Sequence, residues 1–280
     1  MCTTCGCGQD DIRISNVGTA AGSTHTHVDA HGHVSTHTHG EQEHASTQVR
    51  VEDHNHAAND THAPRPDTQT VFFEQQILAK NDNLATGNRD WLAQRGIVAL
   101  NLMSSPGAGK TSLLERTIRE TRQSRQICVI EGDQETLLDA ERIRDAGARA
   151  VQINTGAGCH LDAAMVREAL EQLEPPTGSL LMVENVGNLV CPALFDIGET
   201  GKVVVISVTE GDDKPLKYPH MFAAADLVVI NKIDLLPYVA FDVDACAASA
   251  RSVNPDLEIL TLSVTTGAGL DGWYEWLRRL

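Results

Sequence analysis

The sequence predicts an α/β protein: a mostly parallel sheet covered by helices on both faces, preceded by a Cys/His-rich segment expected to be largely disordered. Three observations carry that reading. Short Val/Ile/Leu runs alternate with longer amphipathic stretches from residue 97 to the C-terminus, one run feeds a Gly-Ala-Gly-Lys-Thr turn before a helix, and residues 1–70 hold very few large apolar side chains. Strands buried on both faces read as continuous apolar runs, and helices between successive strands make those strands parallel neighbours.

A length of 280 residues sets an expectation of one to two domains, and 41% hydrophobic residues suffice for a sizeable core. Acidic residues outnumber basic ones by 38 to 22, a net charge of −16. The summed field repels phosphate backbones and anionic lipid, which argues against nucleic acid and membrane surfaces as partners. No apolar run approaches the roughly 18–20 residues of a membrane span. The N-terminus lacks a basic-then-apolar signal, and seven cysteines, an odd number, do not read as a secreted disulfide framework. A cytoplasmic protein with free thiols is expected.

Residues 1–70 form the first predicted unit. Cys2, Cys5 and Cys7 place three thiols within six residues of the terminus. With a terminal amine they make a compact N/S donor set that suits square-planar Ni²⁺ and also tetrahedral Zn²⁺. Ten of the twelve histidines follow, among them His25, His27, His31, His33, His37 and His39, which read as a weak multi-site metal store or as a polar linker. Such a composition cannot bury enough surface to offset its ordering entropy. Pro64 and Pro66 close it.

Residues 71–280 form the second unit. Phe72, Phe73, Ile77, Leu78, Leu84 and Trp91 suggest one or two lead-in helices, with Gly87 and Asn88 as breakers. Strands are expected at 97–103, 127–130, 150–153, 180–183, 203–208, 227–230 and 257–262. Helices are expected at 111–122, 135–146, 162–173, 243–253 and 270–280.

The first of these strands runs into Ser104-Ser105-Pro106-Gly107-Ala108-Gly109-Lys110-Thr111. Gly107, Ala108 and Gly109 leave a bare backbone whose N–H groups converge on phosphates, together with Ser112 at the helix start. Lys110 supplies charge for the β- and γ-phosphates, and Thr111 a hydroxyl for Mg²⁺. Ser104 stands where the general pattern has glycine. After the 227–230 run, Asn231-Lys232-Ile233-Asp234 selects the base. Asp234 accepts from guanine N1 and N2, Asn231 braces the loop, and the Lys232 stem lies over the ring. Ser263 and Val264 are placed to offer backbone N–H groups to guanine O6. The expected nucleotide is GTP.

Two acidic loops also follow strands. Asp133 in Glu131-Gly132-Asp133 is a candidate for Mg²⁺ or for orienting water, and Glu184 in Glu184-Asn185-Val186-Gly187 for Mg²⁺ beside a γ-phosphate sensor. Capping of the next helix is the plainer alternative for each. Lys110, Asp133 and Glu184 are thus the candidate catalytic set. No catalytic glutamine stands out, so slow intrinsic hydrolysis is expected. Cys159 and His160 in a glycine-rich loop, with Cys191 four residues beyond Gly187, form a candidate internal metal site. Cys128 and Cys246 read as core residues.

With the Ser105–Thr111 loop, the run from Glu184 to Pro192 and Asn231-Lys232-Ile233-Asp234 in hand, the chain resembles the HypB family of hydrogenase nickel-incorporation GTPases, SIMIBI-class P-loop NTPases. The resemblance covers about residues 71–280 and extends to Cys2, Cys5 and Cys7 and to the His-rich insert. It implies a GTP-dependent homodimer with nickel or zinc on Cys159, His160 and Cys191 at the subunit interface. It further implies the zinc-containing accessory protein HypA as a partner and the [NiFe]-hydrogenase large subunit as the recipient of nickel. Two other readings compete. A urease accessory GTPase places Cys and His around a proline, unlike the order here. A nickel-storage protein has no need of Asp234.

Overall fold

An eight-stranded sheet lies at the centre of the computed structural model, which describes residues 13–16, 25–28, 34–37, 68–133 and 138–280. In chain order the strands are β1 (Arg13–Asn16), β2 (His25–Val28), β3 (Val34–His37), β4 (Val98–Ser104), β5 (Ile127–Asp133), β6 (Arg149–Asn154), β7 (Leu180–Glu184), β8 (Gly201–Ser207), β9 (Leu227–Asn231) and β10 (Glu258–Thr261). The sheet order is β1-β6-β5-β7-β4-β8-β9-β10. Every pairing within it is parallel except β1 on β6. Strands β4, β7 and β9 are buried almost throughout, as the continuous apolar runs predict, whereas the edge strand β10 is half exposed.

The principal helices are α1 (Thr68–Ala93), α2 (Lys110–Thr121), α3 (Leu138–Asp145) and α4 (Ala163–Leu173), then three short ones, α5 (Cys191–Leu194), α6 (Lys214–Lys217) and α7 (Pro219–Ala223), and finally α8 (Val243–Val253) and α9 (Leu270–Arg278). Asp162 and Asp242 cap α4 and α8, accepting from Met165 N and Ala245 N at 2.8 and 2.9 Å. No side chain caps α2, whose start is set by Gly109 at φ 100°. Only glycine enters that region without strain, and it leaves the helix N-terminus open toward an anion.

Apolar clusters hold the sheet from both sides. One joins Leu100, Leu102, Val129, Met182 and Val205 to Leu113, Leu114, Ile118 and Trp273. Another packs Ile130, Val151, Ile153 and Val183 against Val166, Leu170 and Leu173. Trp273 Nε1, fully buried, donates to Thr117 Oγ1 at 2.9 Å and so keeps its polar handle satisfied.

The strands expected from sequence are all present to within two residues except at β5, whose strand runs three residues further, to Asp133. Residue 135, where the next helix was expected to start, lies outside the described residues, and α3 is seen from Leu138. Lead-in helix α1 is continuous through Gly87 and Asn88 and starts at Thr68, three residues before the expected boundary. The breaking expectation fails because Gly87 sits on the exposed face with open space around it, while Asn88 is buried and hydrogen-bonded outward from the helix. Strand β1 was not expected either. Ile14 packs beneath the sheet edge while the backbone pairs with β6.

Arg13–Asn16 groups with residues 71–280, whereas the β2–β3 hairpin falls in a separate unit spanning 18–70. In that hairpin His25 pairs with His37 and His27 with Ser35. Cys2, Cys5, Cys7, His31, His33 and His39 lie outside the described residues. Among the described residues no helix is long and apolar enough to cross a membrane.

Candidate nucleotide and metal site

Because β4, β5, β7 and β9 are parallel, the loops after them open on one edge of the sheet. Connections from β4 run to β5 on one side and from β7 to β8 on the other, so the crevice lies where the strand order reverses, the usual ligand position in open α/β sheets. A cavity of about 540 Å³ occupies it, lined by Ser104, Pro106–Ser112, Glu131–Asp133, Asp139, Arg142, Glu184–Gly187 and Lys232.

Lys110, only 8% exposed, donates from Nζ to Ser104 Oγ at 2.8 Å. The residue that departs from the glycine pattern therefore gives the phosphate-loop lysine an acceptor. Thr111 Oγ1 donates to Glu184 Oε1 at 2.7 Å, joining the phosphate loop to the end of β7. Ser105 Oγ donates to Glu210, whose other oxygen accepts Ser207 N at 3.1 Å. Gly187 approaches the loop so closely that a Cβ there would sit 3.1 Å from Pro106 Cγ.

Beside Asp133, which the sequence singles out, the structure adds Glu131. It pairs in register with Glu184 across β5 and β7, and both are buried. Oε2 of each carboxyl has no hydrogen-bond partner. Burial first, then the neighbouring Glu184, pushes the Glu131 carboxyl well above its ordinary range. Burial raises Glu184 too, with Lys110, then Glu131 and Thr111, pulling the other way. Two desolvated carboxyls with unsatisfied oxygens beside a threonine hydroxyl make an oxygen donor set that fits a hard cation such as Mg²⁺. The sequence signal for Glu131 was available: it and Glu184 each stand directly after an apolar run. Asp133 lines the same cavity, and its backbone carbonyl accepts Thr155 N at 2.9 Å.

The loop after β9 is built on Asn231. Its Nδ2 donates to Ala108 O at 2.9 Å, while Oδ1 accepts from Lys232 N and Val264 N at 2.7 and 3.2 Å. Lys232 takes a left-handed backbone (φ 64°) and donates from Nζ to Gly107 O at 2.7 Å. Asp234 Oδ1 is buried and has no hydrogen-bond partner. Ser263 uses its own N–H on Ala268 O at 2.8 Å, so it braces the loop, and Val264 is the member that faces Asn231.

Cys159, His160 and Cys191 come together with one ligand atom from each within 4.8 Å of the others. Cys159 Sγ lies 3.0 Å from Cys191 Sγ and 3.7 Å from His160 Nδ1. The His160 ring stacks on Phe195 at 3.9 Å, and burial lowers its pKa, which favours the neutral imidazole that ligates metal. Two thiols and one imidazole, half-buried, suit a transition metal with one position left open. Cys128 and Cys246 are buried free thiols, and burial pushes Cys246 up to about 11. His220 is exposed on α7.

One segment serves both sites. From Glu184 at the nucleotide cavity to Cys191 at the metal cluster is a single short loop. Asn185 Oδ1 accepts Leu161 N at 3.1 Å and Asn188 Nδ2 donates to Cys159 O at 3.3 Å, so that loop is tied to the Cys159-His160 loop as well.

This fold and phosphate cradle define a P-loop nucleotide-binding protein, and residues 98–261 match the family model described as CobW/HypB/UreG, nucleotide-binding domain. Hydrogenase maturation factor HypB of Escherichia coli (strain K12) is 48% identical over 284 residues, covering 99% of this chain and 98% of that protein. Its namesake from Rhizobium leguminosarum bv. viciae is 58% identical over 217 residues, 77% of this chain and 73% of that protein. The crystal structure of HypB from Helicobacter pylori in complex with nickel superposes with a TM-score of 0.68 at 38% identity, covering 71% of this chain and 94% of that one. The chain belongs to the HypB family of hydrogenase maturation factors, a family of P-loop GTPases.

Proposed function

We propose that this chain is a GTP-hydrolysing nickel metallochaperone that holds Ni²⁺ on Cys159, His160 and Cys191 and helps insert it into the large subunit of a [NiFe]-hydrogenase. The observation that carries this is the shared Glu184–Cys191 segment, bonded through Asn185 and Asn188 to the loop that bears the other two ligands. Family membership supports the recipient, and the relative crystallised with nickel supports the cargo.

In this reading Lys110 leaves Ser104 for the β- and γ-phosphates, and Asp234 and Asn231 fix the guanine. Thr111, Asp133 and Glu184 are the residues that would hold Mg²⁺, with the buried Glu131 carboxyl beside Glu184 as a further oxygen donor, and the ion would neutralise charge on the β- and γ-oxygens. Gly187, packed on Pro106, offers its N–H toward the γ-phosphate. Movement of that loop on nucleotide exchange displaces Cys191 relative to Cys159, which is the step that accepts or releases nickel. Two copies brought together by GTP complete the coordination, and HypA is the accessory partner. Cys2, Cys5 and Cys7 form a second, N-terminal nickel site, and the histidine tract a low-affinity store, in a cytoplasmic setting that keeps thiols reduced.

Nickel storage alone is the rival reading. Lys110→Ala separates them: hydrogenase maturation in cells is lost while cellular nickel content is unchanged if nucleotide turnover drives delivery. Maturation that survives Lys110→Ala establishes storage instead.

A further inference from the structure

Helix α1 presents an odd face to the domain. Among the residues of α1 whose side chains are described, the buried ones are Asn81, Ala85, Asn88 and Leu92, so two of these are polar amides, and Asn88 is only 1% exposed. Each amide spans the same two chain segments. Asn81 Oδ1 accepts Ala163 N at 2.9 Å while its Nδ2 donates to Asp196 O at 2.7 Å. Asn88 Nδ2 donates to Ala163 O at 2.8 Å and to Ile197 O at 3.2 Å. Ala163 is three residues past His160, and Asp196 and Ile197 follow Cys191 by five and six.

The helix thus grips both ligand-bearing segments just beyond their ligands. Arg89 adds an ion pair in which Nη2 donates to both carboxylate oxygens of Asp196, at 2.7 and 2.6 Å. Gly198 touches the helix backbone so closely that a Cβ would fall 2.6 Å from Ala85 O. Apolar residues at 81 and 88 would remove these bonds to the backbone of Ala163, Asp196 and Ile197, which explains why amides stand at buried positions. We infer that Asn81 and Asn88 are positioning residues for the metal cluster, anchoring the two chain segments just beyond His160 and Cys191 so that the ligands move against a fixed base. The inference rests on reading those three residues as the nickel site. Outer partners that orient ligands in this way typically govern affinity by about 10–100-fold.

The test uses the full-length chain carrying Cys2→Ser, Cys5→Ser and Cys7→Ser, titrated with Ni²⁺ against a chelator. Asn88→Asp is nearly isosteric and loses both donated bonds. Asn81→Asp keeps the acceptor for Ala163 N and loses only the donor to Asp196, so it is the milder variant and decides the matter if Asn88→Asp does not fold. Thr86→Ala is the control, since Thr86 bonds only within α1, to Asp82 O. The expected result is nickel affinity lowered by roughly tenfold or more, with an altered thiolate-to-nickel charge-transfer band, while GTP affinity stays within about twofold and Thr86→Ala matches the parent. Folded Asn81→Asp and Asn88→Asp proteins with parental affinity and spectrum overturn the inference, as does an equal loss of nickel and GTP binding, which marks a general support of the fold. Cys191→Ala is run in parallel. If it loses nickel while both asparagine variants keep it, only the positioning role fails; if it too binds nickel as the parent does, the metal-site reading itself fails.

Discussion

Asn185 Oδ1 accepts the backbone N–H of Leu161 at 3.1 Å, joining the residue after Glu184 to the residue after His160. The same amide donates from Nδ2 to Asn101 Oδ1 at 3.1 Å, on the strand that leads into the phosphate loop. A single side chain therefore touches β4, the acidic loop and the metal loop, all in the buried interior. Shared hydrogen-bonded elements of this kind are where two sites become energetically coupled.

Asn185→Ala tests that role. It is expected to leave GTP and Ni²⁺ each able to bind while reducing the effect of one on the affinity for the other to less than about twofold, against the roughly fivefold or more typical of coupled sites. Calorimetric titration of each ligand in the presence and absence of the other checks it.

Asp234→Asn addresses base choice. In the proposed function the Asp234 carboxylate receives the guanine N1 and N2 hydrogens, and its Oδ1 has no partner within the chain. Charged hydrogen bonds contribute about 1.5–3 kcal/mol each, so GTP affinity should fall by on the order of a hundredfold or more. Xanthosine triphosphate, which carries a carbonyl where guanine carries the amine, should gain. Competition between the two nucleotides reads the exchange directly.

Glu131→Gln tests the buried acid pair. Burial and Glu184 raise the folded pKa of Glu131, so above the ordinary carboxylate range the folded chain holds a proton that the unfolded chain has released. Stability from this group is full at low pH and is lost as pH rises through the folded value. The glutamine variant, free of that titration, should melt higher than the parent at pH 8 without nucleotide, with the gain vanishing near pH 4. Thermal melts across that range show whether it does.

Cys191→Ala separates the two sites. One ligand of three is lost from a cluster whose atoms lie within 4.8 Å of each other. Nickel affinity of the folded domain should fall at least about tenfold, while the preference for GTP over ATP is retained. Equal loss of both would show that the cluster supports the nucleotide site structurally.

The sheet was legible because parallel strands buried on both faces leave unbroken apolar runs, and the phosphate and base loops because their chemistry fixes residue types at fixed spacing. Helix α1 was only half legible. Among its described side chains the buried ones are Asn81, Ala85, Asn88 and Leu92, so tertiary hydrogen bonds there replace part of the apolar stripe that periodicity detects. Strand β1 carries a single apolar anchor, Ile14, too little for a two-residue alternation to register. Glu131 is less legible: like Glu184 it follows an apolar run, but only the parallel register of β5 and β7 sets the two carboxyls opposite each other.

The most direct test of coupling between nucleotide and metal is titration of Ni²⁺ into the full-length protein with and without a non-hydrolysable GTP analogue, monitored at the Cys159–His160–Cys191 cluster with Cys191→Ala as the blank. A change in nickel affinity of about fivefold or more between the two states is predicted. Identical affinities in both states would contradict it.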